Sequence, residues 1–75
     1  MREKIIGVLK KYTKNGGVPA DDASLFDEGY LDSFALPEMV SELERTFEIT
    51  IPDSDMNPRK FESIERIQEY VGGRV

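Results

Sequence analysis

Hydrophobic positions along the chain fall into three helical stripes separated by polar, glycine- and proline-rich stretches. Ile5, Ile6, Leu9 and Tyr12 recur at helical spacing, with Arg2, Lys4, Lys10, Lys11 and Lys14 on the remaining faces. The later lysines suit the negative end of a helix dipole. Asn15-Gly16-Gly17, followed by Pro19, predicts where this first helix stops. The clearest period comes next: Leu36, Met39, Val40, Leu43 and Phe47 lie three, four, seven and eleven positions from the first, with Glu38, Glu42 and Glu44 opposite. Asp32 or Ser33 is a good cap for this second helix, yet Pro37 disfavours helical geometry at Leu36 and removes an amide. Either the first turn is irregular or Pro37 opens the regular helix; an irregular first turn is the favoured reading.

Between these helices, residues 18–32 read as a long connecting loop, an unusual length in a small domain and a pointer to function. Its Leu25, Phe26, Tyr30 and Leu31 are expected to fold back over the helices, with a turn at Asp27-Glu28-Gly29. After Phe47, Ile49-Thr50-Ile51-Pro52 is expected to run extended with both isoleucines inward. Asn57-Pro58 signals a short helix to about Phe61. Ser63 caps a last helix striped by Ile64, Ile67 and Val71 and ended by Gly72-Gly73. The expected fold is all-α: a small four-helix bundle of three main helices and one short one, with a long loop between helices 1 and 2. Residues 1–75 form a single domain without repeats or linkers.

Composition narrows the chemistry. Seventy-five residues are near the lower limit for a core without staples, which favours packed helices. Cysteine and histidine are both absent, removing disulfides, thiolate chemistry and the usual zinc ligands. The net charge of −5 is sharply partitioned. Residues 1–20 hold five bases against Glu3, residues 21–57 eleven acids against Arg45, and residues 58–75 four bases against three acids. The acidic block repels nucleic acid and anionic membranes and attracts partners with basic surfaces. No apolar run has the length of a membrane span or a signal-peptide core, so the chain reads as cytoplasmic, without membrane insertion. A membrane-surface role for the basic first helix is set aside, since its apolar stripe is needed for packing.

Enzymatic readings lack parts. Ser33 has no histidine to act as base, and no strand precedes it to form a hydrolase elbow. Gly16-Gly17 lacks the lysine of a phosphate-binding loop. Asp53-Ser54-Asp55-Met56-Asn57 copies half a calcium loop, but Pro58 stands where the glycine belongs and Ile64 where the bidentate acid belongs. Those acids read as caps and loop solvation. Ser33 alone would read as a plain helix cap.

Its surroundings say more. Leu25-Phe26-Asp27-Glu28-Gly29-Tyr30-Leu31-Asp32-Ser33-Phe34, then a Glu-rich helix ending at Phe47, then Ile49-x-Ile51-Pro52-Asp53, resembles the acyl carrier and peptidyl carrier protein family over essentially the whole chain. The resemblance implies a four-helix, non-enzymatic, monomeric carrier. A phosphopantetheinyl transferase using Mg²⁺ would attach 4′-phosphopantetheine covalently to Ser33, with Asp32 matching the acid before it. The arm would hold cargo as a thioester. Partner enzymes that load or process acyl or aminoacyl groups, presenting basic docking surfaces, would meet Phe34, Pro37, Glu38, Ser41 and Glu44, with Met56 and Arg59 nearby. Exposed amides at the helix start would suit the phosphate.

Departures bear on the partner. Ala35 stands where many fatty-acid carriers have an acid, Pro37 and Ser41 replace apolar residues, Glu48 replaces a common glycine, and Arg45 interrupts the acidic face. The leading expectation is an acyl carrier of fatty-acid, polyketide or related lipid metabolism, which should open a space for part of the chain among Val40, Leu43, Ile51, Phe61 and Ile64. The alternatives are an aminoacyl, D-alanyl or peptidyl carrier, whose motif this chain also resembles, and a non-carrier helical interaction domain.

Overall fold

The protein is described from a computed structural model covering residues 1–13 and 17–75. The stop signal at Asn15-Gly16 lies outside the described residues. Helix α1 spans Arg2–Leu9, shorter than its sequence stripe. Beyond Leu9 the amides of Lys11 and Tyr12 turn to carbonyls three residues back, donating to Val8 O at 3.1 Å and Leu9 O at 2.9 Å. That tightening is common at helix ends. Ile5, Val8 and Leu9 are the buried residues of α1; Val8, absent from the expected stripe, is inside, whereas Ile6 is only half-buried.

Helix α2 spans Leu36–Phe47 and is entered through a 3₁₀ turn at Ser33–Ala35. The irregular first turn is therefore observed. Leu36 is nonetheless helical, at φ −55° and ψ −50°. Pro37 sits in the first turn of the helix, where its missing amide leaves no bond unmade, and burial of Leu36 offsets the pre-proline bias. Leu36, Met39, Val40 and Leu43 line the buried face. The helix ends at Glu48, which adopts the left-handed conformation (φ 54°, ψ 48°). There its amide and that of Ile49 both donate to Glu44 O.

The 18–32 segment folds back as expected. Leu25 and Leu31 are buried, and Phe26 and Tyr30 pack against the core. The amide of Leu31 donates to Leu25 O at 2.9 Å, closing a loop whose corner is Gly29 at φ +80°. Two backbone bonds stitch the loop to the last helix region: Leu25 N to Glu62 O at 2.6 Å and Glu65 N to Asp21 O at 3.0 Å. Arg2 adds a fork onto the Asp21 carboxylate.

Ile51 is buried in the extended stretch after α2, and Ile49 packs on the core. Two further 3₁₀ turns follow, Asp53–Asp55 and Pro58–Phe61. Asn57 caps the second, accepting from the Arg59 amide at 2.8 Å. The expected fourth helix is thus a short 3₁₀ turn, too brief to close more than a turn of α-helix. Helix α3, Ile64–Gly72, begins where Ser63 Oγ accepts from the Arg66 amide, and buries Ile64, Ile67 and Val71. No strand occurs among the described residues. Helix α1 packs on both α2 and α3, and Phe61 closes the core with no exposed surface. Each such side chain removed from water contributes ~1.5–3 kcal/mol, which makes the core sufficient for so short a chain.

Two positions carry opposite backbone strain, and they generate paired expectations. Glu48→Gly relieves a left-handed non-glycine residue and should raise stability by about 0.5–1 kcal/mol. Gly29→Ala meets no neighbouring atom but imposes the same strain, and should lower stability by about 1 kcal/mol. Urea midpoints moving in the same direction for both variants would contradict this account.

Candidate functional site

The site begins with a cap. Asp32, in extended geometry, accepts the Phe34 amide on Oδ1 at 2.8 Å and the Ala35 amide on its backbone oxygen at 2.9 Å. The Leu36 amide donates to Ser33 O. Leu31 on one side and Leu36 on the other are buried, so residues 32–34 are raised outward between two anchors. Ser33 is exposed, and its Oγ takes no part in the described hydrogen bonds. Asp32, rather than Ser33, is the cap. The amides of Phe34, Ala35 and Leu36 are engaged, and of this turn's four amides only that of Ser33 takes no part in the described hydrogen bonds. What remains for an anion is that amide and the dipole of the twelve-residue α2.

Phe34 follows Ser33 and is 88% exposed, the most exposed large apolar residue described. Pro37, Glu38 and Ser41 are exposed on the outer face of α2 and, with Tyr12 and Arg45, line one open groove of about 400 Å³. The remaining expected partner residues lie apart from that groove. The Glu44 carboxylate turns toward the next segment and accepts the Ile51 amide at 2.8 Å. Met56 is half-buried against the core, and Arg59 is exposed on the 58–61 turn.

The acidic face expected of α2 is in large part internally engaged. Arg45 and Lys11, the latter at 3.0 Å, both bind the Glu42 carboxylate. The Arg45 guanidinium first, and then Lys11, hold the Glu42 carboxyl below its ordinary range. Lys11 comes from the tightened end of α1, 31 residues away, a pairing that no local pattern announces.

A second cluster fixes the 53–61 region. Asp55 accepts from Lys60 Nζ at 2.8 Å, Tyr70 OH at 2.6 Å and Arg74 at 2.7 Å. The Tyr70 ring lies edge-on to Phe61 at 5.1 Å and within 5.8 and 5.0 Å of the Lys60 and Arg74 charges. Asp55, which was expected only to solvate its loop, is the hub tying α3 to that loop. No local pattern announces this pairing, since Tyr70 and Arg74 reach Asp55 only once α3 is placed. No group of acids with metal-binding arrangement occurs among the described residues.

The residues among which an acyl chain was expected to open a space are buried together, without a loaded cargo. Val40, Leu43, Phe61 and Ile64 have no exposed surface and Ile51 is 5% exposed, all within one packed cluster. No helix is long and apolar enough to cross a membrane among the described residues.

Comparison with known proteins gives the family. Residues 3–71 match the family described as phosphopantetheine attachment site. The chain is 34% identical over 71 residues to a D-alanyl carrier protein of Streptococcus uberis, covering 95% of this chain and 90% of the relative. It is 33% identical to a D-alanyl carrier protein of Listeria monocytogenes, covering 88% and 86%. A third relative of the same name, from Lactococcus lactis, is 31% identical over 95% of this chain and 91% of its own length. No solved structure gives a significant match. The chain belongs to the phosphopantetheine attachment family: it is a carrier protein for covalently attached 4′-phosphopantetheine.

The Asp55 cluster sets a pH window. Lys60 first, then Tyr70, lower its carboxyl from 3.8 to about 2. A folded-state value below the unfolded one means the stabilisation is complete above about pH 4 and is lost as pH falls from 4 toward 2. Across that interval the urea midpoint of the wild type should fall more steeply than that of Asp55→Asn. Parallel curves would show that the cluster does not contribute.

Proposed function

We propose that Ser33 is the attachment residue and that the chain is an aminoacyl carrier of the D-alanyl kind. The observation that carries the reading is the Ser33 hydroxyl, exposed and unenclosed on a turn held by the Asp32 cap. The residues present fit the group: a primary alcohol in solvent at the positive end of α2, with Asp32 occupied by the Phe34 amide. When bound, 4′-phosphopantetheine supplies a flexible arm ending in a thiol, able to hold cargo as a thioester, in a chain with no cysteine. Ser33 is an acceptor and not a catalyst. Transfer from coenzyme A would form the Ser33 Oγ–phosphorus bond as the diphosphate linkage of the donor breaks and adenosine 3′,5′-bisphosphate leaves, the hydroxyl proton passing to a general base in the transferase complex.

The choice of cargo rests on two supports. The relatives named above are D-alanyl carrier proteins. The closed packing around Val40, Leu43, Phe61 and Ile64 suits a small cargo left in solvent, because opening a cavity in such a core is costly. This reading replaces the fatty-acyl expectation. Partners are then a phosphopantetheinyl transferase and an aminoacyl-loading enzyme, with residues 1–75 acting as one carrier unit.

Incubation with coenzyme A, Mg²⁺ and a broad-specificity transferase should add one phosphopantetheine by intact mass, and the Ser33→Ala variant should take up none. Equal labelling of that variant sinks the site. For cargo, the holo-protein should accept D-alanine from an ATP-dependent ligase. Octanoylation of its thiol should leave the NMR shifts of Val40, Leu43, Ile51, Phe61 and Ile64 in place; movement of those signals would reinstate chain sequestration.

A further inference from the structure

We propose that the outer face of α2 is a bipolar docking surface, read by a loading enzyme that places a carboxylate against Arg45 and Lys11. This rests on the carrier reading above and departs from a uniformly acidic face met by a basic partner. The argument starts from position. Pro37, Glu38, Ser41 and Arg45 fall on one helical face, since 38, 41 and 45 are spaced by three and four. All four line the same groove beside Tyr12.

Charge along that face changes sign. Toward Ser33 it is apolar at Phe34 and Pro37, then acidic at the exposed Glu38, neutral at Ser41, and basic at Arg45. The basic end survives its internal ion pairs. Arg45 and Lys11 share one carboxylate, Glu42, so the three groups together hold one net positive charge. Their exposure is unequal: the Arg45 side chain is 71% exposed and Lys11 61%, but Glu42 only 17%. The two cations therefore face outward and the anion is recessed beneath them. Glu44, which would have extended the acidic face, is turned to the Ile51 amide.

A complementary enzyme needs an apolar socket for Phe34, a cation near Glu38 and an acid near Arg45. Such alternation fixes register along α2, because sliding by one turn would set like charges together. A uniformly cationic rim would be repelled at the Arg45 end.

The test uses the holo-protein, ATP, D-alanine and a D-alanine–carrier ligase, and reads KM for the carrier separately from kcat. Arg45→Glu and Lys11→Glu should each raise KM by about fivefold or more with a smaller change in kcat, while Arg45→Lys stays within about twofold of wild type. Lys4→Glu makes the same change of net charge outside the groove and should stay within about twofold as well. Added salt should narrow the gap between wild type and Arg45→Glu. Both altered side chains are exposed, and Arg45→Ala, with matched thermal melts, gives the same test without a new acid. Unchanged or lowered KM in Arg45→Glu overturns the inference, lowered KM being the signature of a cationic rim. If the variants load alike but the wild type loads well, the carrier reading stands and only this inference falls. If wild-type holo-protein is not loaded at all, the cargo reading and the inference fall together.

Discussion

The hydrogen bond from the Phe34 amide to Asp32 Oδ1 governs the functional end of this molecule. It bends the chain into a 3₁₀ turn between two buried leucines, Leu31 and Leu36, and so forces the intervening side chains out of the core. The hydroxyl of Ser33 stands in solvent, outside the described hydrogen bonds, while Asp32 does the capping. Pro37 then fits without loss, its missing amide falling in the first turn of α2. On the proposed reading, an alcohol kept accessible in this way needs no chemistry of its own, only to be reachable by another enzyme.

Much of the charge in the chain is organised around the parts that hold this turn in place. Arg2 clamps Asp21, Asp55 gathers Lys60, Tyr70 and Arg74, and Glu44 supports Ile51. Most of these pairs are partly exposed and individually modest. Their collective effect is to define which charges are left facing outward. The formal total of −5 is therefore a poor guide to what a partner meets.

How far this could be read in advance depended on sequence distance. The α2 stripe, the caps at Asn57 and Ser63, the turn at Gly29 and the inward isoleucines are local features, and local spacing was enough to find them. The family was legible because the residues around Ser33 form a recognisable segment. By contrast, the Lys11–Glu42 and Asp55–Tyr70 pairs join residues far apart in sequence, so their partners emerge only when helices are packed. The premature tightening of α1 and the packed interior were also hidden, since both follow from how three short helices share one small core.

The stitching of the 18–32 segment to the α3 region has a consequence at a distance. Leu25 and Asp21 share backbone bonds with Glu62 and Glu65, so the loop leading to Ser33 is braced from behind by a helix that contributes nothing to the site itself. Helix α3 thus serves as a scaffold wall. A shift of its first turn would be passed through those two backbone bonds to the segment that ends at Leu31, and so to the height of residues 32–34 above the bundle.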